Sequence, residues 1–175
     1  MTVPLAQALG APTVLPVPLI LQTARNWCWA ACIEMVRVYD AKTPLLGQCD
    51  LANSAFSMAN CCSTPTSPQC DQPLPVSSVK PEWLKYGYGS TFNNNHLPWA
   101  QTHNDIYNRR PIEAGLLWTG GGGHAVLIVG VDTLNGTEWV IVHDPARPLP
   151  RTVTQRDMEM AFGLGTWRWS WNNIV

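Results

Sequence analysis

Apolar residues repeat at two different periods along this chain, and the period changes near residue 110. In residues 27–39, Trp29, Cys32, Ile33 and Val36 fall at i, i+3, i+4 and i+7, with Glu34 and Arg37 on the opposite face. That spacing is one stripe of an α-helix. Asn26 is placed to cap it, and Pro44 lies shortly past its end. Residues 48–59, rich in Ala, Leu, Phe and Met, predict a second helix. A short helix is expected over 81–86, and another over 98–109 with Pro98 at its first position. After residue 110 the apolar residues gather into short runs at 112–118, 124–131 and 138–143. Four glycines (Gly120 to Gly123) and Leu134-Asn135-Gly136 divide these runs as turns. A small helix is expected over 155–162, and Trp167, Trp169 and Trp171 alternate at strand period. Helices in the first half and an antiparallel sheet in the second make the fold class α+β.

The chain has 175 residues, the size of one domain, and no internal repeat or long linker divides it. Residues 1–21 read as an extended, Pro-rich leader or linker, and 22–175 as a single domain. The first cation, Arg25, follows the apolar stretch at 14–21 instead of preceding it, and Pro16 and Pro18 interrupt that stretch, so a signal peptide is not expected. No apolar run approaches the ~20 residues that span a bilayer. A net charge of −1 offers no basic field for nucleic acid. Charged residues are 13%, which leaves the surface to Asn, Gln, Ser, Thr, Gly and some of the nine Trp. Six cysteines point to oxidising surroundings. Cys49, Cys61, Cys62 and Cys70 lack the paired spacing of a zinc site, so disulfides are expected, with all three pairings open. No metal and no cofactor is expected. If Cys28 is free, at least one of the other five, Cys32 among them, is unpaired or bonded between chains.

Cys28 falls at a helix start, where unpaired N–H groups and the dipole favour a thiolate. A cysteine nucleophile also needs a base and a group to orient the base. His124 opens one apolar run, and Asp144 ends the next. Neighbouring antiparallel strands can bring such a pair together. Gln22, six residues before Cys28, can lean over the helix start and hold an oxyanion together with the Cys28 backbone N–H. Cys32 lies on the same helix face one turn on, away from the helix start, and reads as a core or disulfide residue. His143 is expected to point to the other strand face, and His96 and His103 to be solvated. Trp27, beside the nucleophile, is a candidate for lining a substrate subsite.

Gln22, then Cys28-Trp29-Ala30, resembles the papain-like cysteine peptidases, and Gly123-His124-Ala125-Val126 resembles their histidine strand. The third element departs: papain-type enzymes carry Asn before Ser-Trp, whereas Asp144-Pro145-Ala146 is similar to the bacteriocin-processing peptidases of export transporters. Asn26 to Cys32, with the later Cys61-Cys62 loop, looks most like bacterial papain-fold effector proteases, avirulence proteases among them. The resemblance implies a papain-like fold, its catalytic helix packed on the sheet. It implies a cysteine endopeptidase acting on a protein or peptide substrate, with Cys28 as nucleophile, His124 as base, Asp144 as orienting group and Gln22 in the oxyanion hole. It further implies a secreted or injected effector or toxin, with a cognate immunity or inhibitor protein as partner. The roughly 20 residues before Gln22 are too few for a folded propeptide, so latency is expected to arise otherwise. The alternatives are a peptidoglycan amide hydrolase on a related fold and a non-catalytic binding module, against which the intact set of four residues argues.

Overall fold

The computed structural model describes residues 11–175. Its elements run β1 (Thr13–Val14), α1 (Cys28–Tyr39), α2 (Gln48–Phe56), α3 (Val76–Lys85), β2 (Thr91–Asn93), α4 (Trp99–Tyr107), β3 (Ile112–Trp118), β4 (Gly123–Leu134), β5 (Thr137–His143), β6 (Arg151–Thr154), α5 (Gln155–Glu159) and β7 (Gly165–Asn172). The strands form one antiparallel sheet in the order β2-β7-β3-β4-β5-β6, with β1 added to β4. The α+β class expected from the two periods is the architecture observed.

The run at 124–131 is apolar at every position because β4 is central. Ala125 to Val131 are all buried, with α1 and α4 both packed against the strand. Val126, Leu127, Ile128 and Val129 are 0% exposed; each contributes about 1.5–3 kcal/mol by leaving water. On α1 the predicted stripe is buried as expected, from Trp29 to Val36.

Past Ile128, β3 no longer pairs with β4, and β1 takes its place, with Thr13 opposite Val131 and Val14 opposite Gly130. Leu15 and Val17 are buried with it. The N-terminal segment 11–21 is therefore packed on the sheet; residues 1–10 of the expected leader lie outside the described part. Gly130 sits where the β4–β5 register shifts, and a Cβ there would lie 2.9 Å from Ile141 Cδ1 and 3.0 Å from the Thr13 carbonyl.

Several boundaries differ from the expectation. Asn26 does not cap α1: Trp27 is the residue before the helix, and no side chain caps it. α3 begins five residues before Pro81 and carries that proline inside it, while Pro98 stands just outside α4. The helix expected over 155–162 ends at Glu159 and gives way to a 3₁₀ turn at Ala161–Gly163. Strands β1, β2 and β6 have 2, 3 and 4 residues, too short to show a period.

Candidate active site

The chain reaches Cys28 through a turn closed by the Trp27 N–H on the Ala24 carbonyl, after which α1 begins at Cys28 itself. A loop at 60–72 grips this start. The Asn26 backbone N–H donates to Asp71 Oδ1 at 2.7 Å, and its side-chain amide to the Asp71 carbonyl at 2.9 Å. The Trp27 indole N–H donates to the Cys70 carbonyl at 2.7 Å, and Trp29 reaches the Gln72 carbonyl. Disulfides Cys49–Cys62 and Cys61–Cys70 shape that loop. They resolve the pairing left open by the sequence. Cys32 is the unpaired remainder, free and fully buried among apolar side chains, and burial pushes its thiol well up. Cys28 is free and partly exposed.

His124 is the second residue of β4, and Asp144 follows the last residue of β5. The register pairs Leu127 with His143, so the start of one strand lies beside the end of the other. His124 Nε2 and Asp144 Oδ1 are 2.6 Å apart. The Ala146 backbone N–H donates to the same oxygen at 3.0 Å, and Arg147 Nε stands 3.5 Å from the other. Gly123 lets β4 begin here: a Cβ on it would lie 2.8 Å from the Leu116 carbonyl. The Trp118 ring stacks on the imidazole, centroids 6.1 Å apart. Burial opposes the imidazolium, but hydrogen bonds and charge from Asp144 and Cys28 outweigh it and raise the His124 pKa to about 9. Burial alone would raise Asp144; the His124 bond and charge, with Ala146 and Arg147, bring it below the usual carboxylate range instead.

Gln22 stands beside this group. Its backbone N–H donates to the Pro145 carbonyl at 2.9 Å, tying it to the Asp144 loop. Its side-chain amide donates to the Ala24 and Arg25 carbonyls at 3.0 and 2.6 Å, and its Oε1 is buried without a partner. Both amide hydrogens are thus committed to the turn before α1. Gln48, 4% exposed, holds the neighbouring backbone by accepting from the Thr23 N–H and donating to the Leu21 carbonyl, while it also bonds Glu34 on α1.

Two clefts meet at His124. One, about 390 Å³, is mostly apolar and is bordered by Cys28, Trp29, Leu74, Val79, Trp169 and Trp171, with buried Glu113 also on its wall. The other, about 710 Å³, is polar and is bordered by Gln22, Trp118 and Asp144. The expected subsite role of Trp27 fails, since that ring is 0% exposed, its N–H is spent on Cys70 and it borders neither cleft; Trp29, though 3% exposed, borders the apolar cleft with Trp169 and Trp171. His143 is buried near Pro18 and takes no part in the His124 pair. His103 is exposed, and His96 lies 3.8 Å from Glu159. The sequence reading missed Trp118, Asp71, Gln48 and Glu113. Asp71, Gln48 and Glu113 act through partners 25 to 45 residues away; Trp118 meets His124 across the glycine turn, and a lone Trp carries no local pattern.

The family model described as papain-like cysteine protease AvrRpt2 matches residues 13–158. Among solved structures, the chain is similar to a protein described as a C39-like peptidase from Bacillus anthracis, with a TM-score of 0.65 and 14% identity over 93% of this chain and 98% of that one. It is also similar to a double glycine motif protease from an AMS/PCAT transporter, solved in complex with the leader peptide. There the TM-score is 0.50 and the identity 14%, over 91% of this chain and 93% of that one. At such identity these two likenesses establish a shared fold of helices on an antiparallel sheet. No curated protein matches the chain in sequence.

Proposed function

This chain belongs to the papain-like cysteine protease family represented by AvrRpt2, and from that membership we propose an endopeptidase that cuts a protein substrate with Cys28, His124, Asp144 and Gln22. The observation that carries the assignment of roles is the 2.6 Å contact of His124 Nε2 with Asp144, made at the rim of the cleft that Cys28 borders. With Nε2–H held by Asp144, the other ring nitrogen, Nδ1, takes the proton of the Cys28 thiol. Cys28 Sγ attacks the peptide carbonyl carbon, and the oxyanion takes hydrogen bonds from the Cys28 backbone N–H and the Gln22 amide. For this, Gln22 gives up one of its bonds to Ala24 or Arg25. The C–N bond breaks as His124 passes its proton to the leaving amine, giving a thioester. A water molecule then loses a proton to His124 and attacks, and the C–S bond breaks.

The two disulfides support a protease that works in an oxidising compartment or after delivery into another cell, as a secreted or injected effector or toxin. A producing cell then needs a cognate immunity or inhibitor protein. The test is labelling with a thiol-directed epoxide, read by intact mass and peptide mapping in the wild type and in His124→Ala. Rapid single labelling at Cys28 that collapses in the variant is expected. Slow labelling, labelling at Cys32, or indifference to His124 would overturn the assignment.

A further inference from the structure

Cys28 borders the apolar cleft at His124 and not the polar one. In the reaction above, the acyl half of the substrate stays on Cys28 while the amine half departs with the proton from His124. The apolar cleft therefore serves the acyl side, and the polar cleft the leaving side.

Three of the chain's eleven Lys and Arg residues, Arg25, Arg147 and Arg151, border the polar cleft. The one carboxylate beside them, Asp144, is already engaged by His124, Ala146 and Arg147. Arg25 and Arg151 make no ion pair among the described residues. The Arg151 guanidinium lies 3.9 Å over the centre of the Phe162 ring, which borders the same cleft. To place that ring, Phe162 and the preceding Ala161 adopt left-handed φ values of 61° and 44°. Side-chain-bearing residues hold such backbone at a cost of about 1–3 kcal/mol, and it gathers at binding sites. The stacked ring fixes the planar guanidinium but supplies no anion, and the fork geometry of arginine matches a carboxylate.

Building on the peptidase reading, we propose that this cleft is a subsite for a carboxylate on the leaving side of the scissile bond, held by Arg151 and Arg25. Two sources share that chemistry: an Asp or Glu side chain shortly after the cut, and the free C-terminus of a short leaving peptide.

A proteome-derived peptide library is digested by the wild type and by Arg151→Gln and Arg25→Gln, and the products are sequenced by mass spectrometry. Synthetic twins follow, carrying Asp or Asn at the favoured position, each with a free or an amidated C-terminus. The wild type is expected to enrich Asp and Glu on the leaving side and to cut the Asp twin about tenfold faster in kcat/KM. The variants are expected to lose that preference, cutting the Asp twin no faster than the Asn twin, and added salt to narrow it in the wild type. A preference confined to free-acid peptides assigns the subsite to the terminal carboxylate. Equal rates for acid and amide twins, or variants that slow both alike, overturn the proposal. If the library stays uncut, the peptidase reading falls, and calorimetric titration of Gly-flanked Asp and Asn peptides, each as free acid and as amide, into Cys28→Ala protein reads the subsite directly. Binding of acid over amide that disappears when Arg151→Gln is added upholds it; binding without that preference overturns it.

Discussion

Burial by itself would strip the proton from His124, yet the bond to Asp144 and the neighbouring Cys28 hold it to about pH 9. Epoxide opening needs the imidazolium, so the labelling rate of Cys28 is expected to fall as pH rises through about 9. In Asp144→Asn the same fall is expected at lower pH, because the main raising partner has lost its charge. An unmoved alkaline limb would mean that Asp144 does not tune this histidine. Gln22 gives a second prediction at this scale. Removing an oxyanion donor costs on the order of 10²-fold in kcat, whereas epoxide opening builds no carbonyl oxyanion. Gln22→Ala is therefore expected to cut turnover and to spare labelling. Equal loss of both would reduce Gln22 to a brace for the turn it bonds.

The start of α1 has no side-chain cap of its own and relies on a loop more than 40 residues away in the chain, at Cys70 and Asp71. Asp71→Ala leaves the Asn26 N–H without its acceptor and is expected to cost about 1–3 kcal/mol in thermal or denaturant unfolding. Opening Cys61–Cys70, by reduction or as Cys61→Ser with Cys70→Ser, frees the same loop. Hydrogen exchange at Asn26 and over the first turn of α1 is expected to speed up more than exchange in β4. Uniform acceleration would show that the disulfide supports the whole fold and not this element. Where β1 pairs with β4, Gly130→Ala is expected to displace β1, seen as faster exchange at Leu15, whose N–H donates to the Val129 carbonyl.

For the molecule as a whole, buried Glu113 and partly buried His124 bring pH into the folding equilibrium. Glu113 is 1% exposed, and burial raises its pKa to about 8 although the Trp83 indole N–H bonds it. The folded state thus keeps a proton that the unfolded chain releases near pH 4.5, so stability falls as pH rises from about 4.5 to 8. Glu113→Gln is expected to flatten that slope: it matches the wild type in melting temperature near pH 4.5 and exceeds it near pH 8. The raised His124 acts in a higher window. Its contribution is full below about 6.5 and is lost as pH passes about 9, so a decline above pH 8 is expected to survive in Glu113→Gln and to shrink in His124→Ala. A variant that tracks the wild type across the whole range would show that Glu113 ionises without cost.

Local pattern determined much of this protein. The helical stripe on α1, the continuous apolar run of β4 and the glycine and Asn-Gly turns follow from side-chain period and backbone freedom, which neighbours in sequence suffice to express. Cys28 at a helix start and His124 and Asp144 at adjacent strand ends were readable for the same reason: the residue type and its place in an element are local facts. Tertiary structure decided what depends on partners far apart in the chain. The disulfide pairing was one of three alternatives until the 60–72 loop closed on α1. Trp27 and Trp29 look alike in sequence and both pack into the core, yet only Trp29 also borders the apolar cleft. The backbone of Gln22 met the Pro145 carbonyl, and Arg25 met Arg147 and Arg151 in one cleft, because charge and hydrogen-bond partners are chosen by distance in space.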